Sequence, residues 1–441
     1  MKTTFTVGLF LWVGMLGGYA QNENALFEKA LEKSRAGQYA SAILDFGKII
    51  RLYPNNSKAF YNRGLCRAYQ KNYPAAIKDY DQAIELDASY ADAYLARGES
   101  KTCESDYRSA LLDFTKTIEL APNEPLGYVK RGLCRSQLDN YRQAIQDFDK
   151  ALELSPQNVQ ALFARGMCHN RLEEYKQALQ DLNQVIKLNP GYAQVYEARG
   201  LSYEKLGNYQ GAVDSYSDAI ELKPTDADLF YQRGFCRLLK QEYEDAIVDF
   251  NSAIRLNSQY IKAFYARGLA KSKTGADQSS VQDLNRAIEL NALQPKDKID
   301  FDGDITKEML AGLRENLQPE VRVTEMTPSE MYLVRGQNKV KLNLPREALL
   351  DFSKAIELNP TVASYYLNRA LCRSSLNDQE GAIQDCSHAI KMNARYAEAY
   401  YLRGIIRHSQ GNETTGCSDL SKAGELGYAI AISIMKEYCG N

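Results

Sequence analysis

The feature that most restricts this chain is a spacing. Arg-Gly recurs at Gly64, Gly98, Gly132, Gly166, Gly200, Gly234 and Gly268, each step being 34 residues. It returns at Gly336 and Gly404, with Ala370 in the intervening place. With that small residue at position 8, the chain divides into repeats 1–8, beginning at residues 23, 57, 91, 125, 159, 193, 227 and 261. Repeats 9–11 begin at 329, 363 and 397. A period of this size marks an array of small supersecondary units, each needing its neighbours to cover its apolar face. The 441 residues therefore do not imply two or three large cores.

Each repeat reads as two helices. In repeat 2, Phe60, Arg63, Gly64 and Arg67 follow helical spacing. After a turn at Asn72-Tyr73, residues Ala76, Ile77, Tyr80, Ala83 and Ile84 form a second amphipathic face. Gly or Asn at position 15 (Gly37, Gly207, Gly275, Asn343, Asn377, Gly411) tolerates the left-handed backbone that ends a helix. Pro at position 32 in six repeats stops the second helix. Position 8 is Gly or Ala throughout, position 20 is Ala in nine repeats and position 27 is Ala in eight. Such residues let helices approach closely, and an aromatic residue at position 4 supplies bulk.

These features, with Tyr at position 17 from Tyr39 to Tyr243 and Phe or Tyr at 24, resemble the tetratricopeptide repeat family. The resemblance covers eleven repeats, 374 of 441 residues. It implies an all-α fold, a right-handed α-solenoid of eleven helix pairs. The segment from Gly416 resembles the closing stretch of exported bacterial proteins of this class, which implies a capping helix over 427–439 that covers the last repeat. The expected organisation is a signal peptide at 1–20, repeats over 21–294, a non-repeat insert at 295–328, repeats over 329–430, and the end of the capping helix at 431–441.

The resemblance also implies that first helices line a concave groove. Positions 5 and 9 would give it an apolar, aromatic stripe: Tyr61, Leu65, Val129, Leu133, Phe163, Met167, Leu201, Tyr231, Phe235, Tyr265 and Leu269. Exposed, the stripe suits an extended peptide or a partner's amphipathic helix; otherwise it is interhelical core. Asn170, Arg171, Glu197, Glu204 and Lys205 are the polar candidates for a partner contact. One branch of the family clamps a C-terminal carboxylate with a Lys/Asn/Asn/Lys/Arg set over three repeats. Only Asn62 and Asn368 match one position of that set, which argues against such clamping.

Position 7 is Arg in ten repeats and position 23 is Asp in ten. They fall on different helices, so an Arg fork onto a carboxylate predicts a structural ladder, with Arg131–Asp147 and Arg165–Asp181 as examples. Position 11 is basic in nine repeats and has no equally regular acidic partner on this reading. It is a solvated or Tyr-stacked row, or a strip favouring acidic ligands.

The first twenty residues hold Lys2, an apolar run from Val7 to Leu16, and Gly18-Tyr19-Ala20, which predicts cleavage after Ala20 and a periplasmic or secreted protein. No later segment is apolar enough to cross a membrane. Five Cys share position 10 (Cys66, Cys134, Cys168, Cys236, Cys372) as small buried residues. In an export setting Cys417 and Cys439 would staple the capping helix as a disulfide. Cys103 and Cys386 have no account on the sequence alone. The insert holds Pro295, Pro319 and Pro328, an amphipathic helix over Ile305–Leu317 after Asp304, and Asp300, Asp302 and Asp304 without a complete calcium-loop pattern.

The near balance of 54 Lys+Arg against 56 Asp+Glu lacks the basic excess of a nucleic-acid binder. No phosphate loop, nucleophile elbow, zinc motif or Cys-x-x-Cys is present, and no stretch is left for a catalytic domain. The expectation is an exported, non-enzymatic scaffold without cofactor or metal, binding a protein or peptide. The alternatives are a structural part of an envelope assembly and a glycan or small-ligand binder.

Overall fold

The computed structural model describes residues 23–293 and 327–439. Among them are 23 α-helices and no strands. Every repeat supplies two, as with Ser57–Tyr69 and Tyr73–Leu86 in repeat 2, and a last helix spans Ala429–Tyr438. The predicted signal peptide, the predicted helix over Ile305–Leu317 and the three insert aspartates lie outside the described residues.

Local chemistry sets the ends of these helices. Position 15 has positive φ in all eleven repeats: Gly or Asn in six, and Lys71, Ser105, Asp139, Glu173 and Gln241 in the others. The next residue caps the second helix in several repeats; Asn72 Oδ1 accepts from Ala75 N at 3.3 Å. Asn56 and Asn158 cap first helices in the same way. The helix of repeat 9 begins at Pro328, inside the expected insert, because Thr327 and Glu330 form a reciprocal capping box there.

The described chain forms two compact units, divided between Ala198 and Arg199. In the first, Phe46, Tyr80, Phe114, Phe148 and Leu182 at position 24 are buried, flanked by fully buried alanines at position 20. The position-8 glycines make room for these rings. A Cβ on Gly64 would stand 2.6 Å from the Tyr80 ring, and one on Gly132 would stand 2.7 Å from Phe148. First helices of neighbouring repeats also touch, which brings them onto one face of the unit.

The second unit repeats this packing around Tyr216, Phe250, Leu284, Phe352, Cys386 and Leu420. Cys386 now has its account: it takes the ring position of repeat 10, where Ala370 replaces glycine at position 8. Repeats 8 and 9, separated in sequence by the insert, pack directly on each other. Arg335 Nη1 donates to Asn285 Oδ1 at 2.8 Å, and the buried Asn338 donates to Ser280 Oγ at 2.8 Å. Among the described residues no helix is long and apolar enough to cross a membrane.

Candidate interaction surface

Position-7 arginines make a ladder with three arms. Arg131 Nε and Nη2 close on Asp147 at 3.1 and 2.7 Å, and Arg165 closes on Asp181 at 2.9 and 2.6 Å. Nine repeats hold this pair, and in each the aspartate is buried. The third guanidinium nitrogen reaches back to position 25 of the preceding repeat. In the first unit Arg97 meets Asp81 and Arg165 meets Asp149; in the second, Arg267 meets Asn251 and Arg403 meets Ser387. The aromatic residue at position 4 stacks under the same Arg, 5.4–5.9 Å away in the first unit and 5.0–5.7 Å in the second. Repeat 6 departs: Arg199 meets Ser215 at 2.9 Å and Asp218 at 2.7 Å.

The position-11 cations correct the sequence reading. All nine have an acidic partner, and for eight of them it is the carboxylate already held by the ladder; in repeat 1, where position 7 is Lys29, Asp45 stands outside it. Arg135 takes Asp147 Oδ2 at 2.7 Å and Arg373 takes Asp385 Oδ2 at 2.8 Å, and Lys33 pairs with Asp45. Lys101, Arg237, Lys271, Lys339, Arg67 and Arg407 do likewise. One aspartate thus serves two cations, and the row is not a free strip for acidic ligands.

The predicted apolar stripe divides by repeat. In the first unit Tyr61, Leu65, Leu133, Phe163 and Met167 are half-buried, while Val129 is wholly buried. In the second unit Leu201 is half-buried. Tyr231, Phe235, Tyr265 and Leu269 are instead core, packed in one cluster with Leu238, Phe250 and Met331. They are not available to a partner, because their neighbouring helices cover them. Among the polar candidates, Asn170 is buried and donates to the Ala198 carbonyl at 3.3 Å, and Glu204 is buried and accepts from the Tyr216 hydroxyl at 3.1 Å. Both are structural. Arg171 and Glu197 are exposed and Lys205 is half-buried. Asn62 and Asn368 donate to carbonyls of their own helices, Lys58 and Ser364, at 2.8 Å.

An open feature of the first unit is a cleft of about 640 Å3 on the face of the first helices of repeats 2–4. Leu65, Tyr69, Tyr107 and Leu133 contribute apolar wall, with Tyr80 and Phe114 beneath. It exists because repeat 3 breaks the pattern, carrying Glu99 at position 9 and Ser100 at position 10. Repeats 2 and 4 have Leu and Cys at those places. Ala68 and Ala96 leave further room. Glu99 is turned to Lys130, with an ion pair of 2.6 Å.

Cys66, Cys134, Cys168, Cys236, Cys372 and Cys386 are buried thiols, and Cys103 is exposed. Burial pushes the Cys168 and Cys372 thiols up to about 11 and Cys386 to about 12. Cys417 and Cys439 are joined as a disulfide, with Cα atoms 5.8 Å apart, tying the second helix of repeat 11 to the end of the closing helix. Among the described residues no cluster of His, Cys, Asp or Glu is arranged to hold a metal.

Tetratricopeptide repeat models match residues 57–90, 129–193, 171–227, 237–275 and 363–396. Among solved structures, the chain is similar to the C-terminal part of a TPR repeat-containing protein from Cytophaga hutchinsonii: 17% identity, TM-score 0.48, 54% of this chain and 98% of that one. It is also similar to a tetratricopeptide repeat protein from Parabacteroides merdae, with 24% identity, TM-score 0.43, and 57% and 99% coverage. A third is YrrB, described as a TPR protein with an unusual peptide-binding site: 24% identity, TM-score 0.40, and 43% and 97% coverage. No curated protein matches the chain.

Proposed function

We propose that this chain, a protein of the tetratricopeptide repeat family, is an exported scaffold that binds a peptide or partner helix on the face of its first helices. The observation that carries this reading is the cleft over repeats 2–4, an apolar surface left open where equivalent positions of repeats 7 and 8 are filled. Open apolar area with a polar rim is what a partner's side chains bury. The ionic side chains at positions 7, 11 and 23 are engaged in the ladder, which argues for a structural role for them. The predicted signal sequence supports an envelope or extracellular setting, and the Cys417–Cys439 bridge suits an oxidising compartment.

The test is capture from native envelope material by the mature chain, with Leu133→Glu as the comparison. A partner retained by the wild type and lost from the variant supports the reading. Identical capture by both overturns it. Fractionation with sequencing of the mature N-terminus tests export; a start at Gln21 is expected, and an intact Met1 in the cytosol would sink it.

A further inference from the structure

The joint between successive repeats is one contact made many times. Position 27 of one repeat and position 3 of the next are wholly buried alanines: Ala83 with Ala93, Ala253 with Ala263, Ala389 with Ala399. Position 10 of the later repeat meets position 12 of the earlier one, as Cys66 meets Ser34, Cys134 meets Thr102 and Cys236 meets Glu204. Position 7 reaches back to position 25, as Arg97 reaches Asp81.

After repeat 11 the closing helix Ala429–Tyr438 takes the place of a successor. Ala423 at position 27 and Ala431 on the closing helix are both wholly buried. Ile432 lies over Gly424, where an added Cβ would stand 3.1 Å from it. The imitation is incomplete. Ile430 and Ile432 stay exposed, whereas a terminal cap ordinarily turns a polar face outward. Ten residues are also too few for a helix to hold its shape alone. The Cys417–Cys439 bridge, spanning 22 residues of sequence, ties the helix down.

Repeat 1 leaves the opposite half of the same joint open. Its first helix, over 23–35, has Ala25 at position 3, exposed where Ala59, Ala93 and Ala161 are buried. Set against repeat 11 of a second copy, Ala25 meets Ala423 and Lys29 at position 7 reaches Ser421 at position 25. Glu32 at position 10 then faces His408 at position 12. Glu32 is the one charged residue at position 10 of any repeat, and His408 is the one basic residue at position 12. The two ends are therefore complementary in charge as well as in shape.

We propose that the Cys417–Cys439 bridge holds the closing helix over a joint that otherwise accepts the first repeat of a second copy, so that end-to-end assembly is under thiol control. Each copy carries one end of each kind, so the association is heterologous and does not stop at a pair. The trigger is a dithiol reductant. One of its thiolates attacks the Cys439 sulfur and Cys417 leaves as a thiolate. The second thiol resolves the mixed disulfide, so two electrons and two protons end on the cysteine pair and the reductant becomes a disulfide.

The test uses the mature chain carrying Cys103→Ser, which removes the exposed thiol and touches neither end. Sedimentation velocity is measured over a concentration series, oxidised and in dithiothreitol, with helix content followed by circular dichroism. The oxidised chain should stay monomeric. The reduced chain should associate on the order of a few hundredfold more strongly, the loop-closure worth of the bridge. Ala25→Glu should abolish that association, and Cys439→Ser should show it without reductant. A reduced chain that stays monomeric, or association that survives Ala25→Glu, overturns the proposal. Loss on reduction of more helix than the closing segment holds overturns it too, since the association is then one of unfolded chains. Assembly of the oxidised chain that Ile430→Glu disrupts would also overturn it, and would make the closing helix itself the contact.

Discussion

Arg131 and Asp147 are linked through three hydrogen bonds, with Nε shared between the two carboxylate oxygens and Nη2 on Oδ1, across the two helices of repeat 4. Arg135 then takes Asp147 Oδ2 from one turn further along the first helix. The three side chains form an asymmetric unit: two cations share one buried anion.

That asymmetry predicts an order of losses. Arg131→Ala leaves Asp147 with Arg135, so part of its compensation survives. Asp147→Ala removes the only carboxylate facing both cations. Breaking a buried ion pair typically costs about 3–5 kcal/mol. Because the arginines keep some water contact, about 2–4 kcal/mol is expected for Asp147→Ala, less for Arg131→Ala and least for Arg135→Ala. Urea unfolding measures the order. A neutral Arg131→Ala would remove the structural role assigned to the ladder.

The ring-on-glycine contact predicts a difference between repeats. At Gly132 a methyl group would lie 2.7 Å from Phe148, whereas at Gly166 it would lie 3.3 Å from Leu182. Gly132→Ala should therefore destabilise by about 1–3 kcal/mol, the usual cost of overpacking. Gly166→Ala should be closer to neutral, since alanine also favours the helix. Thermal melts of the two variants decide, and equal losses would show that the ring yields freely.

Position 15 offers a gain. Glu173 has a φ of 61° and nothing else about its role requires a side chain. Glu173→Gly relieves the left-handed penalty, about 1–2 kcal/mol, against a larger unfolded-state entropy for glycine of about 0.5–1 kcal/mol. A raised melting midpoint is expected, and Gly207→Ala, at the same backbone position, should lower it.

Much of this was legible in the sequence, for reasons that are local. The 34-residue period, the small residues at 8 and 20 and the turn at 15 state their own packing. The pairing of position 11 was missed because Arg and Asp were matched one to one, whereas a carboxylate has two oxygens and Arg131 and Arg135 lie one turn apart. The burial of Tyr231 and Tyr265 was not legible, since equivalent residues such as Tyr61 differ only in what packs over them. The cleft did leave a signal: Glu99 and Ser100 depart together from the Leu-Cys of the repeats on either side.

The thiols predict how stability changes with pH. Burial raises Cys168, Cys372 and Cys386 above the ordinary thiol value, to about 11, 11 and 12. An unfolded thiol releases its proton near pH 8.5. Below that pH both states hold the proton, and the stabilisation is complete. Above it the unfolded chain binds fewer protons than the native one, so stability falls as pH rises toward 12. Tyr61, raised by burial to about 12, acts in the same direction at the upper end. The urea midpoint should decline from about pH 9 upward, and Cys386→Ala should flatten the decline while costing some stability at pH 7. Exposed Cys103 should be alkylated by iodoacetamide at pH 7.5 in the native protein, with the six buried thiols protected until unfolding. Rapid labelling of the buried set at neutral pH, or a midpoint flat from pH 8 to 11, would contradict their placement in the core.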